Sequence, residues 1–411
     1  MTQSPPASGV VFAFSGQGSQ YPGMTARLYL DHARYRTHLE AAADALRPYT
    51  GTSIIDLIVS GDERIHQTGF TQPGVFAVEY ALAATLIEHG VRPAAVVGHS
   101  IGEFAAAVTA GALNLEDAAL LVAVRGAFMQ YLPSGGGMMA VRADADDVAE
   151  LLAAEQDVVV AAYNGPQSIT LAGDLLGLDR VQQALAARKV AARRLQVSHA
   201  FHSPLMRPML RRFARVLERV PSAVPRLPYY STVRGRKLSG EALGASYWVE
   251  QVTAPVRFAP AIDNLLARQR PEVLLEVGPK QTLTGLLKKI VGPDGPECIA
   301  VCRTEDTGDA AFNELVCKLA PERAADDRIT RAVLDAVTEI VDDPSVEAGL
   351  DQALHGDLGF DSVMFLRLKF QLEQRLPELG PLSMPDMLGS LRTPGTLVDY
   401  LRTQLDIMSA V

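Results

Sequence analysis

The chain has 411 residues, 48% of them hydrophobic, with 47 acidic and 38 basic side chains and a formal net charge of −9. This is enough apolar material for a substantial core and enough length for two or three domains, and nothing in it suggests the basic stripe a nucleic-acid binder needs. Three cysteines, Cys298, Cys302 and Cys317, are too few for a disulfide framework. No Cys/His cluster has metal spacing. No leader at "MTQSPPASGV" and no apolar run of ~18 to 20 residues is apparent, so a cytoplasmic protein without a membrane span is expected.

In chain order, "VVFAFSGQGSQYPGM" (Val10 to Met24) starts as a β-rich run and breaks into glycines. "AAVVGHS" (Ala94 to Ser100) repeats that shape ahead of a helical "IGEFAAAVTAGAL" ending near Gly111. Apolar strands feeding helices through glycine turns predict an α/β core with a parallel sheet. Met138–Val197 then reads as strand 138–141, helix 146–154, strands 158–163 and 168–171, helix 178–187 and strand 191–197. That βαββαβ order predicts a ferredoxin-like unit, 137–200, inserted in a larger domain, 8–305. "EVLLEVGP" (Glu272 to Pro279) resumes the α/β pattern.

A helix and linker fill 306–327, with "PERAADDR" (Pro321 to Arg328) read as the linker. From 328 to 408, "ITRAVLDAVTEIV", a long loop, a helix after Ser362, a short "SMPDML" element and "GTLVDYLRTQL" predict an all-α four-helix module. From Pro321 onward there are 16 acidic and 8 basic residues, against 31 and 30 before it, so a nearly neutral domain precedes an acidic one. No G-x-G-x-x-G turn or Walker loop supports a nucleotide.

Gly98-His99-Ser100-Ile101-Gly102 fits G-x-S-x-G, where glycines flank a serine on a strained strand-to-helix turn. The turn exposes the hydroxyl and leaves the Ile101 amide near a helix N-terminus, able to donate to an oxyanion. A serine needs a base. His32, His38, His66, His89 and His355 read as solvated side chains, whereas His199 and His202 in "SHAFHSPLM" stand where the inserted unit returns to the large domain, so one of them is the expected base.

The motifs "GQGSQ", "GHSIGE", "RGAFMQ", "AYNGPQS", "SHAFHSPLM", "APVRF" and "EVGP", in this order from about Val10 to Arg303, resemble the acyltransferase domains of modular polyketide synthases and the malonyl-CoA:acyl carrier protein transacylases. The resemblance implies Ser100 as nucleophile and His202 as its base, with the amides of Gln17 and Ile101 as the oxyanion hole. It implies a backbone carbonyl at Gln251 orienting the histidine, and Arg125 binding the free carboxylate of a malonyl group by a forked pair of hydrogen bonds. "HAFH" resembles the malonyl-selective subgroup rather than the "YASH" of methylmalonyl-selective members, with Phe201 filling the room of a 2-methyl group and His199 beside it in the acyl site.

The C-terminal module resembles acyl carrier proteins: Ser362 in "LGFDSV" matches the serine that carries 4'-phosphopantetheine, over about Ile329 to Leu405. A phosphodiester there would meet the free N–H groups of a helix N-terminus. From Ser362, Val363, Leu366 and Phe370 form one apolar stripe and Met364, Leu368 and Leu372 another; most of this is expected in the core, with Val363 and Met364 the candidates for exposure. The two resemblances together imply ping-pong transfer of malonyl from malonyl-CoA to Ser100 and on to the arm of Ser362 or of a partner carrier. Phosphopantetheinyl transferase and a downstream ketosynthase are the implied partners. An editing hydrolase gains nothing from Arg125, an α/β-hydrolase lacks its HGGG-type loop here, and an inactive scaffold would not carry Ser100, His202, Arg125 and Ser362 together.

Overall fold

The structure is a computed structural model that describes residues 9–341, 349–350 and 352–409, the side chains of 321–327 and 406–409 apart. Residues 1–8, which the domain boundary at 8 and the leader reading touch, and much of the loop ahead of Ser362 lie outside this range. The chain divides into two compact units between Leu315 and Val316.

In the first unit, the described residues form ten strands: β1 (Val10–Phe14), β2 (Ala95–Gly98), β3 (Gly136–Val141), β4 (Val158–Gly165), β5 (Ser168–Asp174), β6 (Ala192–Arg194), β7 (Tyr229–Ser231), β8 (Arg236–Lys237), β9 (Val273–Val277) and β10 (Glu297–Ala300). The larger sheet runs β10-β9-β1-β2-β7-β8, parallel except for the edge hairpin of β7 and β8. Strands β1, β2 and β9 are buried at every position, as expected for a parallel sheet covered on both faces. Phe14 pairs with Gly98, so the Ser15–Gln20 loop and the His99–Ser100 turn leave the carboxyl edge side by side, the usual place for a site in such sheets.

The smaller antiparallel sheet runs β4-β5-β3-β6, with helices Ala145–Ala154 and Leu175–Ala187 packed into its own core. This is the ferredoxin-like unit expected from the sequence. Helix Thr68–Glu88 corrects the sequence reading in one respect. Its 21 residues are apolar and long enough to cross a membrane by length and composition, but 78% of the qualifying window is buried inside the domain. Of the thiols, Cys298 and Cys302 are buried and free, their pKa pushed up by burial to about 11 and about 12, while Cys317 is exposed.

The second unit is all-α: Pro321–Val341, Ser362–Arg375, Met384–Met387 and Pro394–Ser409. Val333, Val337, Leu354, Leu368, Leu372, Leu397 and Leu401 are fully buried in its own core. "PERAADDR" is not an irregular linker. It forms the opening of helix Pro321–Val341, since its one proline stands at the first helical position and alanine, glutamate and arginine are strong helix formers.

Candidate active site and carrier serine

Strand β2 delivers Ser100 to a turn so tight that neither neighbouring glycine admits a side chain. A Cβ at Gly98 would lie 2.3 Å from the Glu103 nitrogen, and one at Gly102 would lie 2.2 Å from the Ser15 carbonyl oxygen. Ser100 itself sits at φ 55, the left-handed region an L-residue avoids. The strain directs its hydroxyl at His202, whose Nε2 is 2.6 Å from Ser100 Oγ.

His202, at φ 56, is buried, and its Nδ1 lies 2.9 Å from the carbonyl oxygen of Ala254. A carbonyl only accepts, so Nδ1 carries the proton and Nε2 is free to accept from the serine. The orienting bond therefore goes to Ala254 rather than to Gln251; the Gln251 carbonyl makes a weaker contribution in the same direction. Residue 254 follows helix Ala245–Thr253 in extended conformation, which turns its carbonyl out of the helical ladder. Burial first, then Arg125, lowers the His202 pKa to about 3, against the raising effect of Ala254. The ring is neutral at pH 7, which leaves Nε2 able to accept a hydrogen bond from Ser100.

Gln251 instead works through its side chain. Its amide Nε2 donates to the Ser100 carbonyl at 2.7 Å and its Oε1 accepts from Arg125 Nη2 at 3.1 Å. Arg125, on helix Leu115–Gln130, is 1% exposed and also donates Nη1 to Gln72 Oε1 at 2.8 Å. Its Nε is buried with no hydrogen-bond partner among the described residues. Burial lowers its pKa to about 9, opposed by Glu103, so it stays cationic. Gln72 was missed by the sequence reading, although a glutamine inside the apolar run of helix Thr68–Glu88 was a signal.

The network continues through Gln17, whose Oε1 accepts from Gln72 at 3.4 Å and whose Nε2 donates to Thr68 Oγ1 at 3.4 Å. Thr68 meets Ser198 at 2.8 Å, and Ser198 meets His199 Nδ1 at 2.8 Å. His199 Nε2 donates to the Leu132 carbonyl at 2.9 Å, so both its nitrogens are engaged and it is not a base for Ser100. Phe201 is buried, its ring 6.2 Å from that of His199. The backbone N–H groups of Gln17 and Ile101 have no acceptor among the described residues. His99 reaches the inserted unit, its Nε2 2.9 Å from Asn164 Oδ1. Of the other histidines, His32 is buried rather than solvated, accepting the Tyr35 amide at Nδ1.

Ser362 is exposed and opens its helix, but the N-cap is Asp361. Asp361 Oδ1 accepts from the amides of Val363 and Met364 at 2.9 and 2.8 Å. Two of the first-turn donors expected to greet a phosphate are thus already used, while the Ser362 amide and hydroxyl have no partner among the described residues. Of the apolar residues behind it, Val363, Leu366 and Phe370 are exposed, whereas Leu368 and Leu372 are fully buried and Met364 packs partly against the core.

Comparison with known proteins agrees with this division. Residues 11–322 match the acyl transferase domain family and residues 331–401 the phosphopantetheine attachment site family. The chain is 38% identical over 330 residues to polyketide synthase GfsB of Streptomyces halstedii, covering 80% of this chain and only 6% of that protein. Among solved structures, it resembles the acyltransferase domain from the second module of the salinomycin polyketide synthase, at 39% identity and TM-score 0.70 over 74% of this chain and 71% of that one. It also resembles the acyltransferase domain of SpnD in complex with 2-(pent-4-yn-1-yl)malonyl, at 34% identity and TM-score 0.71 over 79% of each. On these matches the chain belongs to the acyl transferase domain family of polyketide synthases and bears a phosphopantetheine attachment domain.

Proposed function

We propose that the chain takes malonyl from malonyl-CoA as an ester on Ser100 and passes it to the thiol of a 4'-phosphopantetheine arm, on Ser362 or on a partner carrier. The setting is the cytoplasm, where coenzyme A thioesters and three unpaired cysteines belong. The observation that carries the diacid is Arg125, a buried cation with an unpartnered Nε, held by Gln72 and Gln251 beside the Ser100–His202 pair. A buried cation rewards an anion from the substrate because little solvent screens the pair. The 2-(pent-4-yn-1-yl)malonyl in complex with the SpnD relative shares the malonyl carboxylate, though it carries a large 2-substituent. Phe201, buried between the two histidines of its motif, would limit the room for a 2-substituent, a preference of ~1 to 3 kcal/mol per methyl. His199, bonded at both ends, would wall the acyl site.

In the first half-reaction Ser100 Oγ adds to the thioester carbonyl while its proton passes to His202 Nε2. The carbonyl electron pair moves onto oxygen, facing the amides of Gln17 and Ile101. Collapse breaks the C–S bond, and the departing sulfur takes the proton back from His202. An arm on Ser362 supplies a thiol as the second acceptor; its exposed hydroxyl suits a phosphopantetheinyl transferase. His202 then receives the acceptor's proton and returns it to Ser100 Oγ as the ester C–O bond breaks. A ketosynthase would consume the product.

The test is intact-protein mass spectrometry of the arm-bearing protein after exposure to malonyl-CoA. Wild type should carry a thioester on the arm. Ser100→Ala should bear the arm but stay unacylated, and His202→Ala should load slower by ~10² to 10⁴. Loading of Ser100→Ala at the wild-type rate would overturn the covalent relay.

A further inference from the structure

Helix Arg207–Leu217 begins five residues after His202. Its buried side is Met209, Phe213 and Leu217, spaced by four, and its outer side presents Arg207, Arg211, Arg212 and Arg215, with Arg219 just beyond its end. All five arginines are exposed, and none has a hydrogen-bond or ion-pair partner among the described residues. Several other arginines of the domain surface are paired, Arg27 with Asp31, Arg34 with Glu88, Arg180 with Glu155 and Arg236 with Glu241, and exposed ones without a partner, such as Arg193 and Arg270, are scattered over separate elements; what sets these five apart is that they are gathered along one helix. The near-neutral balance of the domain conceals a basic stripe, which corrects the sequence reading that found none.

This arrangement is unfavourable for the helix taken alone. Arg207, Arg211 and Arg215 are like charges at i, i+4 and i+8, and Arg207 adds positive charge at the positive end of the helix dipole. An external anion would relieve both. The stripe spans roughly 15 Å from Arg207 to Leu217, longer than one diphosphate, and the exposed Leu205 between His202 and the helix adds an apolar point. A protein surface with spread negative charge and some apolar area fits this better than a nucleotide.

We propose that this arginine face is the docking surface for the acidic carrier domain of another synthase chain. The module from Pro321 onward shows what such a surface offers: 16 acidic against 8 basic residues, with exposed Asp357 and Asp361 close to Ser362 and exposed Val363, Leu366 and Phe370 along the next helix. Charge of one sign thus flanks the residue that donates the acyl group, and charge of the other flanks the residue that would receive it. The inference rests on the proposed function in taking a carrier arm as the acceptor.

The test uses two full-length preparations. The donor, left without an arm, is wild type, R211E/R215E or R211Q/R215Q; the acceptor is Ser100→Ala bearing the arm, so acyl transfer can only run between molecules. Both steps are followed by intact-protein mass spectrometry: acylation of Ser100 by malonyl-CoA, then second-order transfer to the acceptor. Wild-type transfer should fall at least tenfold as salt rises from roughly 50 to roughly 500 mM. At low salt R211E/R215E should transfer at least tenfold slower and R211Q/R215Q by a smaller factor, with Ser100 acylation unchanged in both. Transfer unchanged in both variants overturns the docking surface. Acylation and transfer falling together overturns it in favour of acyl-CoA as the anion recognised. A wild-type donor that never acquires malonyl on Ser100 defeats the proposed function instead.

Discussion

Arg125 donates to two neutral glutamine amides and keeps one buried N–H in reserve, with Glu103 the acid that sustains its charge. Arg125→Ala should therefore lower malonyl transfer at least tenfold, since losing one partner of a buried charge pair removes several kcal/mol. Acetyl transfer should hold at or above the wild-type rate, because Arg125 also depresses the basicity of His202. Competing malonyl-CoA and acetyl-CoA measures both effects in one mixture. Glu103, fully buried with Oε1 accepting from Thr232 and Tyr247, has its pKa raised by burial from 4.5 to about 7. Folded protein then binds this proton more readily than unfolded, so its contribution is full below about 4.5 and is lost as pH rises through about 7. Glu103→Gln should abolish that loss, a difference of up to about 3 kcal/mol between acidic and mildly alkaline buffer. Trp248, the one tryptophan, stacks on Phe104 at 4.1 Å and reports unfolding of this region by fluorescence. His202 runs the other way, weakening the fold as pH falls from its ordinary value toward about 3, but equally in both proteins. That Ser100, His202 and Arg125 come together was legible because each sits in a motif. Ala254 was not, because a carbonyl acceptor leaves no mark on residue identity.

At the scale of elements, alternation and helical spacing carried far. The βαββαβ order was legible within a few residues at each boundary, since every element of that unit but the short β6 has a buried side. "PERAADDR" was misread because charge without an apolar stripe looks like loop, while its propensity was helical all along. The helix after Ser362 was readable as amphipathic but not as to which apolar stripe faced inward, because both stripes have the same period and only the packing of neighbouring helices chooses between them. The structure turns Leu368 and Leu372 inward and Val363, Leu366 and Phe370 out. Phe370→Gln should leave amide hydrogen-exchange protection of residues 368 to 372 unchanged. Leu372→Ala should lower it by about 2 to 5 kcal/mol of opening free energy or unfold the module outright. Equal effects of the two substitutions would reverse the assignment of the stripes.

Across the whole molecule, the contrast between a nearly neutral unit and an acidic one was visible in composition, whereas the segregation of arginines onto one helix was not, because net charge sums over faces. The placement of the three cysteines has a practical consequence. Cys298 and Cys302 are buried and held as thiols, and Cys317 alone among them is exposed. Reactivity follows accessible thiolate, so a maleimide should add once to the native chain without an arm and twice to the chain that carries one, with Cys317→Ser giving zero and one. Counting adducts thus titrates arm occupancy in native protein. The same burial keeps Cys298 and Cys302 away from a reactive ester, so Cys317 is the one native thiol on which an acyl group could go astray.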